Sequence, residues 1–396
     1  MIGRRSLLLS AFAPAGTILL RSGWQTVNIG DIAHSPGVLT LLRDRRVILW
    51  SNSLDRGVDV MLRRHFPNVR QVSGEPDTPA IRAAFDEASF FLHGSGPSVV
   101  ARSHMAAWRE RTGKPYGVLG VTITLHTEAA STKLDEPLRQ LLNEARFVFT
   151  RETKSLVNLR EGGVTKPRMA FVPDGTFSLK MRDDERGNAY LAANQLQKFL
   201  CVIPRLRYTP YHLIRKVTQS AAEIAQRTAY NDLHAEPDHA KLRAAIVKWV
   251  RSGAGKVLLC PEMTYQLDII DPLLYHPLPD DVKKHVVRRR EYWLTDEAAS
   301  IYARAAGVLS FECHSPIIAD ALGTPGFYVH QPEDGIKGQM WQDVGLSENY
   351  AEIDSIDGAT LGDRVLEMTS AAGRARVRKA VMLAQRKQRE AVKFIP

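Results

Sequence analysis

Cysteine is scarce: three in 396 residues, at Cys201, Cys260 and Cys313. They are far apart, and their spacing suits neither a disulfide framework nor the paired ligands of a zinc module. Cys201 and Cys260 fall in apolar runs and read as core residues. No metal site is read from the sequence. Long apolar runs are also missing. No stretch approaches the roughly 20 residues that a membrane-crossing helix needs, so no transmembrane span is expected. Aromatic residues make up 8% of the chain and nowhere interleave with basic residues along one segment, as a nucleic-acid groove would require. No nucleic-acid partner is expected.

What is present is the composition of a soluble globular protein, 44% hydrophobic and 24% charged. The length exceeds one ordinary core and predicts two domains. The net charge of +10 suits an anionic partner, although much of the excess lies near the C-terminus. Met1–Ala15 stands apart: Arg4-Arg5, a short apolar stretch from Leu7, then small residues. This reads as a twin-arginine-type signal. The protein is then exported to the periplasm; if the segment is not a signal, the protein is cytoplasmic.

Short apolar runs alternate with helical patterns from Thr17 onward: Val47–Trp50, Ser89–Leu92, Pro115–Val121, Phe147–Thr150 and Ala170–Val172 read as strands, with helices between them. This predicts a parallel sheet covered on both faces. The charged stretch Lys180–Gly187 reads as a linker. A second alternating series then begins with Phe199–Ile203. The expected division is a signal over 1–15, an N-terminal domain over 16–182, a C-terminal domain over 188–362 and a basic closing helix over 363–396.

The richest stretch is Gly307–Gln331. Val308–Phe311 reads as a buried strand, Ser315-Pro316 as a helix start, Gly323 and Pro325 as its stop, and Phe327–Val329 as the next strand. Glu312, Cys313 and His314 fall in the strand-to-helix turn, where open α/β sheets bind ligands. The helix start at Ser315 favours an anion. His34-Ser35-Pro36 repeats the tripeptide of His314-Ser315-Pro316 and also follows a strand. This predicts two helix starts, one per domain, with Asp31 and His34 facing His314 across a cleft. Gly94 and Gly96 form a Gly-x-Gly loop after a strand, where backbone approaches a ligand closely.

In these pieces the chain resembles the polysaccharide pyruvyl transferase family. Asn28-Ile29-Gly30-Asp31 is similar to the family's Asn-x-Gly-Asp, and Gly94-Ser95-Gly96 to its glycine-rich loop. Thr150-Arg151-Glu152 with Ser155 is similar to its Arg-Asp/Glu-x-x-Ser segment, and Pro173-Asp174 to a later Asp-bearing turn. The resemblance implies an α/β fold of two Rossmann-like domains facing across a cleft, the GT-B arrangement. It implies transfer of pyruvate, as a ketal, from phosphoenolpyruvate to sugar hydroxyls of a glycan, with no further cofactor. The partners implied are a glycan acceptor and a small anionic donor. Asp31, Glu312 and His314 are then the expected catalytic residues. Asn28, Gly30, His34, Gly94, Gly96, Arg151, Arg205, Arg207 and Ser315 are the expected binding residues. One position departs: Glu312 stands where the family has the arginine of Arg-x-His, so Arg205 and Arg207 are expected to supply the missing charge. A glycosyltransferase using a nucleotide-sugar, or an exported carbohydrate-binding protein without the donor site, would fit the same architecture.

Overall fold

Leu19 shows why the first sheet forms where it does. It has no exposure to solvent and lies between Ile48 and Phe91 of the strands on either side. The computed structural model describes residues 16–53, 55–125 and 134–396; the expected signal over 1–15 lies outside them. The first sheet contains β1 (Ile18–Arg21), β2 (Val47–Ser51), β3 (Arg70–Ser73), β4 (Phe90–His93), β5 (Tyr116–Val121), β6 (Phe147–Thr150) and β7 (Arg168–Phe171), in the order β3-β2-β1-β4-β5-β6-β7. The second contains β8 (Phe199–Ile203), β9 (Lys256–Leu259), β10 (Val286–Arg288), β11 (Gly307–Ser310), β12 (Gly326–His330) and β13 (Tyr350–Glu352), in the order β10-β9-β8-β11-β12-β13. Every pairing between these strands is parallel. Helices cover both faces, which is what near-continuous apolar strands demand.

Both sheets therefore have the doubly wound Rossmann-like order. In each, the order reverses beside the first strand, between β1 and β4 and between β8 and β11. A crevice opens at the carboxyl ends of the strands there. The two crevices face each other, and main chain joins them: Ile29 donates to the Glu262 carbonyl at 3.0 Å and Thr264 to the Val27 carbonyl at 3.1 Å. Thr295 Oγ1 adds a bond to the Ile29 carbonyl at 2.8 Å.

Two of the elements that differ from expectation bear on the contacts between the domains. The helix bearing His34 begins at Ile29, not at Ser35, because the Asn28 side chain accepts from Gly30 and Asp31 and caps the chain earlier. Pro36 is inside that helix. The stretch expected to be a linker enters the helix Asp184–Ala193, whose N-cap is Asp183. Its charges are matched across an interface instead of being solvated: Asp184 accepts from Ser300 and Arg304. Gly187 allows that contact, since a Cβ there would lie 2.2 Å from Ser300 Oγ.

The helix Ala371–Val392 starts beside the second sheet, where Arg374 bonds the Ala306 carbonyl at 3.0 Å. It ends on the first, where Gln388 bonds Ser178 and the carbonyl of Pro173. Val377, Ala380, Ala384 and Ala391 are its buried face. Among the described residues no helix is long and apolar enough to cross a membrane.

Candidate functional site

The facing crevices meet around two histidines. His34 is carried on the helix Ile29–Leu41 and His314 opens the helix Ala321 closes. Their rings stand edge to face with centroids 4.7 Å apart. Gly30 makes this possible: a Cβ on it would lie 2.4 Å from His314 Cβ and 2.5 Å from Glu262 Oε1. The Asn-x-Gly-Asp segment thus caps a helix, pairs with the opposite domain, and leaves room for the opposite histidine.

Beneath the rings lies Asp174, fully buried. Its Oδ2 accepts from Arg151 Nη1 at 2.8 Å and its Oδ1 from the Thr176 amide at 2.9 Å. His34 Nδ1 is 3.3 Å from Oδ1 but too bent for a hydrogen bond, and His314 Nε2 is 3.9 Å from Oδ2. Burial works against the Asp174 charge, yet His34, Arg151 and His314 together hold it well below the usual carboxylate range. Arg151 is itself buried and bonds Thr122 and Glu152 as well; these carboxylates outweigh burial and keep it charged. Glu152 in turn is tied to Thr122 and Ser155. Arg151 therefore braces the site, and its Nη2 is left without a partner.

On the other side, Glu262 follows β9 and is also fully buried. Its Oε2 accepts from the Ser315 amide at 2.7 Å and the Ser315 hydroxyl at 2.6 Å. Its Oε1 is 3.7 Å from His314 Nδ1. Burial opposes a charge on His314, but Cys313, Glu262 and Asp174 override it and push its pKa up. The helix start at Ser315, expected to take a donor anion, thus already holds a carboxylate of the protein. The physical reason is the expected one, a helix N-terminus attracting negative charge, but the occupant is Glu262.

Glu312 ends the turn after β11. Its Oε1 accepts from Gln266 at 2.8 Å and stands 3.4 Å from Arg205 Nε without a hydrogen bond. Burial pushes its carboxyl up to about 8, with Arg205 opposing and Glu262 and Asp334 adding. Arg205 gives its hydrogen bonds to Gln331 and Asp334, at 2.8 and 2.9 Å. Arg207 is further committed: Asp238 takes two of its N–H groups, at 2.8 and 3.0 Å, and Asp354 another. Arg205 and Arg207, expected to supply the charge of the lost family arginine, are both paired with carboxylates of the protein. Arg205 reaches the Glu312 side of the cleft, whereas Arg207 fastens its own loop to the helix Ala221–Arg251.

Asp31 faces the cleft with its carboxylate hydrogen-bonded to no donor among the described residues; His34 Nε2 stands 3.7 Å from its Oδ1. Such a carboxylate–imidazole pair can take a proton from a hydroxyl brought beside it. Asn28 is buried and spent on its cap. Gly94 and Gly96 meet protein rather than open space. A Cβ on Gly94 would lie 2.2 Å from Ser22 Oγ, and Gly96 packs on Gly23. Gly23 in turn touches the His34 ring edge. This loop therefore positions His34 from behind.

Asp31, His34, Glu312, His314, Arg205 and Ser315 are brought together; Arg151 braces them from below, and Arg207 lies apart. Sequence reasoning missed Glu262, and treated Asp174 only as part of a motif. Glu262 had one signal, a carboxylate directly after an apolar strand, which is also the position of Glu312 after β11. Tyr211 was also missed. Burial, with the charges of Asp31 and Glu312 adding, raises its phenol pKa.

Several solved structures share this arrangement of domains. The UDP-N-acetylglucosamine 2-epimerase of Neisseria meningitidis, bound to UDP-N-acetylglucosamine, is 10% identical, with a TM-score of 0.56 over 95% of this chain and 98% of that one. Phytolacca americana UGT2, complexed with UDP-2-fluoro-glucose and pterostilbene, is 10% identical, with a TM-score of 0.55 over 96% and 100%. Anabaena HepE, in complex with UDP and glucose, is 11% identical, with a TM-score of 0.51 over 96% and 95%. At these identities the likeness is one of fold, and it is the GT-B fold. No curated protein matches the sequence. The family model for polysaccharide pyruvyl transferase matches residues 28–329, which include the capping turn of Asn28, both histidines, Asp174 and Glu312. The chain belongs to the polysaccharide pyruvyl transferase family.

Proposed function

We propose that the chain transfers pyruvate from phosphoenolpyruvate to hydroxyls of a glycan in the interdomain site. The observation that carries this reading is the meeting of Asp31–His34 from one domain with His314 and Glu312 from the other. It sets a proton acceptor and a proton donor on opposite walls of one cleft. In ketal formation the methylene carbon of the donor gains a proton, two sugar hydroxyls each form a C–O bond, and the phosphate C–O bond breaks. The two hydroxyls release two protons; one replaces the proton given to carbon and the other leaves with phosphate. Asp31, through His34, takes a hydroxyl proton, and Glu312 gives the proton to carbon. Each such role typically contributes about 10²–10⁴-fold. The test is phosphate release from phosphoenolpyruvate with supplied glycans. Turnover by the wild type, lost in Asp31→Asn, supports the reading. Absence of donor binding and of turnover with every acceptor removes it.

One observation favours a second reading. The helix start at Ser315, Arg205 and Arg207 all face carboxylates of the protein. A GT-B glycosyltransferase with a nucleotide-sugar donor would not need that anion site in the same place. It predicts binding of uridine diphosphate at the crevice of the second sheet and no response to phosphoenolpyruvate.

A further inference from the structure

We propose that Asp31, His34 and His314 form a binding site for a divalent transition-metal cation of the zinc type, bridging the two domains. One ligand atom from each of these three buried residues can be chosen so that all lie within 4.8 Å of one another. Asp31 and His34 are one turn apart on the same helix, and His314 comes from the other domain. No sequence spacing reveals such a set, because its members are far apart in the chain. Two imidazoles and one carboxylate are a donor set that first-row transition metals accept, leaving a position for water or substrate.

A second observation points the same way. His34 has no exposure, and neither of its ring nitrogens has a hydrogen-bond partner; nor has Nε2 of buried His314. Buried polar atoms are normally paired. The orientation of the rings gives these orphans a use. His34 turns Nε2 toward Asp31, at 3.7 Å, and Nδ1 toward Asp174, at 3.3 Å. His314 turns Nδ1 toward Glu262, at 3.7 Å, and its unpartnered Nε2 stands 3.9 Å from Asp174 Oδ2. A metal-bound histidine usually gives its other nitrogen to a carboxylate, which fixes the ring. Asp174 and Glu262 are the carboxylates nearest those nitrogens here, although neither is hydrogen-bonded to them, and His314 Nδ1 also meets Cys313 Sγ at 3.6 Å.

The charges around the cleft supply a reason for a cation, and this part rests on the phosphoenolpyruvate reading. Arg151 is matched to Asp174 and Glu152, while Arg205 and Lys337 share the one carboxylate of Asp334. A divalent cation would add the positive charge that an anionic donor requires and that the family arginine no longer provides at Glu312.

The test uses the full chain, stripped with a chelator and then titrated with Co²⁺ and with Zn²⁺ in the absence of donor and acceptor. The expected result is one equivalent bound per chain, a visible Co²⁺ spectrum bleached by Zn²⁺, and a melting temperature raised by Zn²⁺. His314→Gln and Asp31→Asn should each weaken binding at least tenfold while their circular dichroism stays that of the wild type. If either variant fails to fold, Asp174→Asn gives the second measure: binding weakened about 10- to 100-fold through the ring of His34. Wild type that binds no stoichiometric metal overturns the proposal. So does one equivalent bound equally well by the variants, which would place the metal elsewhere. Metal binding without pyruvyl transfer would leave this site standing and remove the donor reading. Pyruvyl transfer by a wild type that binds no stoichiometric metal would do the reverse.

Discussion

Gly30 and His314 belong to different domains, yet a Cβ on Gly30 would lie only 2.4 Å from His314 Cβ. The missing side chain is what lets the two crevices close on each other. Gly30→Ala should therefore force a shift between domains. An overpacked contact of this kind costs about 1–3 kcal/mol, read as a lower denaturation midpoint together with loss of turnover. Gly96→Ala is the contrast, since its Cβ would meet its neighbours at 3.4–3.5 Å, an ordinary contact. Its stability should match the wild type. A fall in turnover at unchanged stability would show that this loop touches substrate after all.

Glu312 can be separated from its surroundings by two substitutions. Glu312→Gln keeps an acceptor for Gln266 but has no proton to give. Stability should hold while turnover falls about 10²–10⁴-fold. Glu312→Arg restores the family residue by type but sets a second guanidinium beside Arg205, now 3.4 Å from the carboxylate. Two like unit charges about 4 Å apart repel by about 4 kcal/mol at an effective dielectric near 20. The variant should melt well below the wild type and gain no donor affinity. Tighter phosphoenolpyruvate binding by a stable Glu312→Arg protein, measured by calorimetry, would contradict this view of the cleft.

Glu262 occupies the helix start that a donor anion was expected to use. Glu262→Ala should leave the buried Ser315 amide without an acceptor, at about 1–3 kcal/mol, and open the helix N-terminus. Added phosphate should then raise the melting temperature of the variant more than that of the wild type. An equal response from both proteins would mean that Glu262 does not block an anion.

His93 and His239 set a pH dependence of stability. Burial lowers the pKa of each to about 4, against 6.5 for an ordinary histidine. His93 Nε2 accepts from the Ala101 amide, so it must stay neutral. The folded protein thus binds fewer protons than the unfolded chain between pH 6.5 and 4. Their contribution is complete above pH 6.5 and is lost as pH falls toward 4, by up to about 3 kcal/mol per histidine. His93→Gln and His239→Gln should flatten the decline of the denaturation midpoint over that window; an unchanged slope would reject the assignment.

The buried strands were legible because they are short apolar runs between turn residues: Phe147–Thr150 and Phe199–Ile203 run as the sequence suggests. β3 was not, because Arg70, Gln71 and Ser73 are polar and only Val72 is buried on that edge. In the helix Ala221–Arg251 most of the buried residues lie after Asp238, so its first half carries little apolar pattern. At the site, the two His-Ser-Pro segments pointed to the two histidines that meet across the cleft, although the first helix starts at Ile29 and not at Ser35. Side chains that pair across domains were not legible. Nothing local in the sequence tells that Glu262 reaches Ser315, or that Asp238 and Asp354 claim Arg207.

The most direct measurement is the fate of the donor carbon. Phosphoenolpyruvate labelled in its carbon skeleton is incubated with the protein and a glycan, and the glycan is weighed by mass spectrometry while phosphate is counted. The account predicts label in the glycan, equal to the phosphate released and absent with Asp31→Asn. Unlabelled glycan and no phosphate, beside transfer of sugar from a uridine diphosphate donor under the same conditions, would contradict it.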